Sequence, residues 1–439
     1  MDEAVDRIAT MALLEGIGEF WRRAGCGEPA DAASVEQPLT CGTAPPASQF
    51  LAKYLGDSEI ASWIRSDDTC GSRHSTLVAL AQALASAKHL VSPRPNRADP
   101  NSEALQSILA ALGGEDTRRS RLPLACHGRF DERDFMPRDA ANQDEAMGDL
   151  WREFEITVDE LEMGHVPHAT WLALLRRFVS RLPVGFNAPD VSLYEYSKAT
   201  AALAACFMSD EMPLDRASSL REGLKSQAED GPMAQPVCRL VCGNLSGIQD
   251  FLYAVPRKGA AKTLKARSFL LQLVCEASAD WLCAQVGMPA SCILYNGGGR
   301  FYLLLPCRAD IEGLARQLQE HLLKVFHGSL SLLVGQVQLA PKDFFGEAFS
   351  VSWLLASERA NEKKSRILSA LARDRYSDAF APMDDSDFPV VSWGGEVSEP
   401  LTKMDEALRS FGTDLRDARW LFRTPATAAS FTTASAAEG

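Results

Sequence analysis

Residues 243–274 read GNLSGIQDFLYAVPRKGAAKTLKARSFLLQLV. They decide the fold, because they change character halfway. The apolar run PVCRLVCGNL, from Pro236, ends here in glycine and small polar residues, as a strand does where the chain leaves it. A basic run then opens a helix with a broad apolar face, on which Leu264, Phe269, Leu270, Leu273, Val274 and Trp281 recur at helical spacing. A strand-to-helix junction of this kind meets phosphates readily, since backbone N–H groups and the positive end of the helix dipole converge there.

Further along, SCILYNGGGRFYLLLP (291–306) predicts two strands, Cys292–Tyr295 and Phe301–Leu305, joined by a glycine hairpin. DIEGLARQLQEHLLKVFHG (310–328) predicts a second helix, and SLSLLVGQVQLA (329–340) a fourth strand. The order strand, helix, strand, strand, helix, strand is that of a ferredoxin-like βαββαβ unit, with helices packed on an antiparallel sheet. The expected class is α+β. A helical domain spans 1–208, a linker 209–235, the ferredoxin-like domain 236–345, a helical extension 346–425 and a disordered tail 426–439. The tail, TPATAASFTTASAAEG, is small, polar and low in complexity. Before the linker, AVDRIATMALLEGIGEFWRRAG, ASQFLAKYL, HSTLVALAQALASAKHL, DLWREFEITVDEL, ATWLALLRRFVSRL and LYEYSKATAALAACF all read as helices. Breakers and charges in 91–121 predict an exposed connection around one short helix.

The 439 residues carry a formal net charge of −13, which argues against indiscriminate coating of nucleic acid. A local basic strip is still present in PRKGAAKTLKAR (256–267), which contains no acid. The eleven cysteines show no CxxC spacing, so neither a zinc ribbon nor a disulfide framework is indicated, and reduced thiols in a cytoplasm are expected. The acidic start does not read as a signal peptide, and no apolar run approaches the roughly 20 residues that span a bilayer, so no membrane partner is expected.

Three motifs in order, GNLSGIQDFLY, KGAAKTLKARSFLLQLV and ILYNGGGRFYLLLP, resemble the first Palm domain of the large subunit of type III CRISPR–Cas effector complexes, subtype A most closely. Upstream, DVSLYEYSKATAALAACF and ALLEGIGEFWRRAG resemble further segments of the same family, so the likeness runs over most of residues 1–425. It implies an amino-terminal HD-type domain, which in the family is a metal-dependent nuclease on single-stranded DNA, followed by the Palm. The departures are at the chemistry. The family's His-Asp pair falls on Glu15 and Gly16, and its later Asp-His on Glu195 and Tyr196. No Asp occurs between Asp68 and Asp99, where an Ala-Asp pair is usual, and only His74 and His89 remain as histidines there. Neither the GGDD of the family's second, cyclase Palm nor the zinc insert occurs, MDDSDF at Met383 reads as loop, and Asn244 stands where the first Palm usually has Asp.

The expectation is a degenerate HD-like domain and a first Palm that keeps the shape for nucleotide or RNA contact without catalytic or metal-binding residues. The contact residues would be Ser246, Gly247, Gln249, Lys262, Lys265, Arg267, Ser268, Gly297, Gly298, Gly299 and Arg300. Alone, the chain is expected to hold no cofactor and to have no activity. ATP with Mg would enter only a site completed by a separate GGDD Palm chain, which could then make cyclic oligoadenylate. Expected partners are other type III effector subunits and the 5′ region of the crRNA. A free nucleotide-binding regulator is the alternative outside defence. Trp393, Leu401, Met404, Leu408, Phe411, Leu415, Trp420, Leu421 and Phe422 would offer an exposed apolar stripe to a partner.

Overall fold

The computed structural model describes residues 3–24, 73–87, 104–107, 120–124, 138–139, 144–161, 166–185, 188–253, 260–366, 369, 373, 376 and 403–418. The expected helix at 47–55, the loop at Met383, the tail, and Arg257 and Lys258 of the basic strip lie outside the described residues. The contacts gather into two units, residues 1–247 with 272–380, and residues 248–271 with 381–439.

The helical part of the first unit contains α1 (Glu3–Arg23), α2 (Arg73–Ala85), α3 (Asp144–Asp159), α4 (His168–Val179), α5 (Leu193–Ser209) and α6 (Leu214–Ser226). Two short antiparallel pairs accompany them, β1 (Ser120–Arg121) with β2 (Arg138–Asp139) and β3 (Pro183–Gly185) with β4 (Ala188–Ser192). Helix α5 is buried almost all round, which its run of alanines permits, and it packs against both α1 and α2. Rings from three helices close the other side of α1: Phe20 meets Trp151 at 4.9 Å and Phe154 at 5.7 Å, and Phe154 meets Phe178 at 5.3 Å. Residues 209–235 contain α6, which packs on α2.

The sheet follows. Strands β5 (Cys238–Ser246), β6 (Ile293–Gly297), β7 (Arg300–Leu305) and β8 (Ser331–Leu339) pair antiparallel in the order β6-β7-β5-β8. Helices α7 (Ile248–Tyr253) and α8 (Ala260–Gln285) come between β5 and β6, and α9 (Ile311–Phe326) between β7 and β8. Apart from the short α7, which was not read, the sequence of elements is the one taken from the periodicities. Asp310 caps α9 by accepting from Gly313 N at 3.1 Å. Helix α10 (Ala348–Glu362) then crosses β5 and β8. It comes close because Gly335 has no Cβ; one there would stand 2.2 Å from Ala356 O. Polar ties join the helical part to the sheet. Asp210, just past α5, accepts from Cys307 N at 2.7 Å and Arg308 N at 3.2 Å. The buried Lys198 donates to Leu294 O at 3.0 Å.

In the second unit, α11 (Lys403–Asp417) is a single helix. It lies on the first turns of α8, with Phe411 5.9 Å from Phe269 and Gly412 against Lys262 O. Leu408 is buried, so this part of the expected exposed stripe is covered by the chain itself. Among the described residues, no helix is long and apolar enough to cross a membrane.

His168 makes the helical part sensitive to acid. Its Nδ1 is 3.1 Å from Thr10 Oγ1, and the Thr10 hydroxyl donates to Asp6 O at 2.8 Å. Nδ1 therefore carries the proton and donates, while Nε2 is buried without a partner. Burial pushes the pKa from 6.5 down to about 4. The unfolded chain binds this proton first, so stability falls as pH drops from about 6.5 to about 4 and levels off below that. The loss should amount to about 3 kcal/mol. Urea midpoints between pH 7 and 4 check this; His168→Gln should flatten the profile, and an unchanged slope would reject the assignment.

Candidate functional site

In the helical part, Glu15, Gly16 and Tyr196, three of the positions where the resemblance implies metal ligands, come together with Gln82 and Ser197. Helix α1 brings Glu15 and Gly16, α2 brings Gln82, and α5 brings Tyr196 and Ser197. Gln82 Nε2 donates to the Glu15 carboxylate, and Tyr196 donates to Gln82 O at 3.4 Å. Burial, and next the Glu15 charge, hold the Tyr196 hydroxyl well above the usual phenol range. Gly16 lies directly on Ser197, where a Cβ would stand 2.2 Å from Oγ. Among the described residues, this group offers a divalent cation one carboxylate, an amide and a protonated phenol, which by themselves are a poor ligand set. Glu195 points elsewhere and pairs with Lys198 at 3.7 Å. His74 is half-buried, and burial followed by the Arg73 charge lowers its pKa. Among the described residues, no group of three His, Cys, Asp or Glu is placed to hold a metal ion.

On the sheet, strand alternation puts Asn244, Arg300 and Tyr302 on one face. Asn244 is the direct partner of Arg300 in the β5–β7 ladder, and Cys242 that of Tyr302. The Asn244 amide donates to Asn361 Oδ1 at 2.8 Å, so helix α10 holds the position where the family usually has a carboxylate. Gly298 and Gly299 form a two-residue hairpin turn with φ of +60° and +76°, which a left-handed turn requires. Nothing lies within 4 Å of where a Gly298 Cβ would be, so the turn is open to an incoming group. Beside it is a shallow cleft of about 330 Å³, lined by Tyr295, Gly297, Gly298, Arg300, Tyr302 and Trp353. Tyr302 and Trp353 stack with centroids 3.6 Å apart, and Tyr295 meets Tyr302 edge-on at 6.3 Å. Gly247 (φ +90°) turns the chain after β5, with Ser329 O where a Cβ would be.

Ser246 ends β5 in the first unit and is half-buried, and the remaining candidates belong to the second unit. Gln249, Lys262, Lys265 and Ser268 are exposed. Lys265 reaches Leu415 O at 3.4 Å, near the end of α11, where a cation suits the helix dipole. Arg267 is buried, donates to Phe251 O and lies 4.8 Å from the Phe251 ring, so its charge is turned into the unit. The strip therefore divides. Lys262→Ala should leave stability within about 0.5 kcal/mol. Arg267→Ala should cost about 2 kcal/mol, because the Phe251 carbonyl loses its donor. Denaturant titration of both variants checks this; equal effects would contradict it.

Sequence reasoning named Gly297–Gly299 and Arg300 as candidates but not Tyr295, Tyr302, Trp353 or Asn361, which lie at or beside the cleft. The two tyrosines were hidden among the apolar residues of their strands. Trp353 and Asn361 come from a helix some fifty residues later, and no local pattern shows that it crosses this face.

Residues 237–380 match the family described as Csm1 subunit domain B. The CRISPR system single-strand-specific deoxyribonuclease Cas10/Csm1 (subtype III-A) of Mycobacterium tuberculosis is 35% identical over 231 residues, 50% of this chain and 28% of that protein. Its counterpart in Methanocaldococcus jannaschii is 31% identical over 201 residues, 40% of this chain and 25% of that protein. Among solved structures, the Csm1–Csm4 subcomplex of the type III-A CRISPR–Csm interference complex superposes with a TM-score of 0.60 at 18% identity, covering 94% of this chain and 52% of that one. A Csm1–Csm4 cassette in complex with one ATP gives 0.61 at 18% identity, covering 83% and 49%. The chain thus spans about half the length of these solved chains and a smaller share of the curated proteins. At this identity the superpositions speak for the fold alone, while the sequence matches carry the kinship. An α+β fold with a helical region and a four-stranded antiparallel sheet, the Csm1 domain B over 237–380, and these alignments make the chain a homologue, over part of their length, of the Cas10/Csm1 large subunits of type III-A CRISPR systems.

Proposed function

We propose that the chain acts in crRNA-guided antiviral defence as a scaffold: a large-subunit-like protein with a degenerate HD-like domain (1–208), a ferredoxin-like Palm (236–345) and a helical extension (346–425). It would bind a Csm4-type neighbour, as the Csm1 chains of the solved complexes do, and the 5′ region of the crRNA. It would cut no DNA and make no cyclic oligoadenylate alone. The observation that carries this is the packing of Gly16 on Ser197 with Glu15 held by Gln82, in place of a metal-ligand pair. The Palm keeps an open glycine turn and an aromatic cleft beside Arg300, which supports nucleotide or RNA contact there.

Purified chain incubated with single-stranded DNA and Mn²⁺ or Ni²⁺ should release no fragments. Co-expressed with the remaining effector subunits and crRNA, it should co-purify with them. Chelator-sensitive cleavage, or failure to enter any assembly, would overturn the scaffold reading. Adding a separately encoded GGDD Palm chain, with ATP and Mg²⁺, tests the split-cyclase alternative; these 439 residues contain no GGDD.

A further inference from the structure

We infer that the hairpin face of the sheet takes a base-plus-phosphate ligand without a divalent metal, with Arg300 supplying the positive charge. This rests on the reading of that face as a nucleotide contact. In a Palm, a carboxylate on the first strand would hold the cation that bridges to phosphate. Here the position is Asn244, and its amide is engaged by Asn361 at 2.8 Å. Its direct neighbour across the ladder is Arg300. A guanidinium fixed beside the site disfavours a second cation there and favours an anion.

The cleft has the parts for such a ligand. Arg300 is half-buried, lines the cleft and makes no ion pair with any described residue. The Gly298 turn leaves its backbone approachable. Tyr295 is 48% exposed, and Trp353, stacked on the buried Tyr302, also lines the cleft, so aromatic surface is there for a planar ring while the guanidinium takes the phosphate. Aromatic surface with one arginine is also how single-stranded nucleic acids are held without base selection. The occupant is a free nucleoside triphosphate or one nucleotide of an RNA strand.

The test titrates the 439-residue chain with ATP and, separately, with a short oligoadenylate RNA, each in EDTA and in Mg²⁺. Binding should survive EDTA and be within about threefold of its strength in Mg²⁺, or tighter, because the bare phosphate carries more charge for Arg300. Arg300→Gln should weaken it about tenfold or more, and Tyr295→Ala, a half-exposed position, several-fold. The tighter probe identifies the source of the ligand. Binding that needs Mg²⁺, or that ignores both substitutions, would overturn the metal-free site and leave nucleotide contact standing. No binding of either probe would overturn both.

Discussion

Gly335→Ala should unseat helix α10 and cost about 3 kcal/mol or more. The added Cβ would stand 2.2 Å from Ala356 O and 2.3 Å from Ala360 N. Both are backbone atoms of a regular helix, so no side chain can swing aside, and α10 has to lift from β8. The Tyr302–Trp353 stack and the Asn244–Asn361 bond go with it, since both are made by that helix. Two readouts should therefore move together, a lower urea midpoint and an altered near-ultraviolet signal from Trp353. Gly298→Ala is the control. It meets open space and pays only for φ of +60°, about 1 kcal/mol. Equal costs for the two variants would show that α10 is not held by its close approach to Gly335.

Rebuilding the family's ligand pair by Glu15→His with Gly16→Asp should destabilise the helical part and restore no nuclease. Any side chain at position 16 meets Ser197, with Cβ at 2.2 Å from Oγ, between two helices that pack along their length. Overpacking of this kind costs about 3 kcal/mol. Replacing Glu15 also strands the Gln82 amide, which is buried. Adding Ser197→Gly should recover part of the stability and still give no chelator-sensitive cleavage, because Gln82 and Tyr196 supply no further carboxylate or imidazole. Thermal unfolding of the double and triple variants, with a single-stranded DNA assay in Mn²⁺, checks both halves. Metal-dependent cleavage by either would mean that the site is still competent and merely lacks two ligands.

Much of the fold was legible in residue order because it is governed by local periodicity. The β5, α8, β6, β7, α9, β8 sequence follows from alternation in strands, apolar faces at helical spacing and the glycine turn at 298–299, each a short-range property. Helices α1 and α5 were readable for the same reason. The departures from the resembled family's pattern at Glu15, Gly16 and Asn244 were also readable, since a residue's donor atoms are a property of its type. What those positions pack against was not. That Gly16 seats Ser197, that Arg267 turns inward to Phe251 while Lys262 remains exposed, and that Asn361 and Trp353 reach the sheet face were decided only by packing. A helix start reads as basic whichever way its side chains point, and their direction depends on neighbours such as Phe251 and α11. Contacts across many residues between α10 and β8 depend on one missing methyl group at Gly335, whose meaning appears only when the backbone it admits is in place.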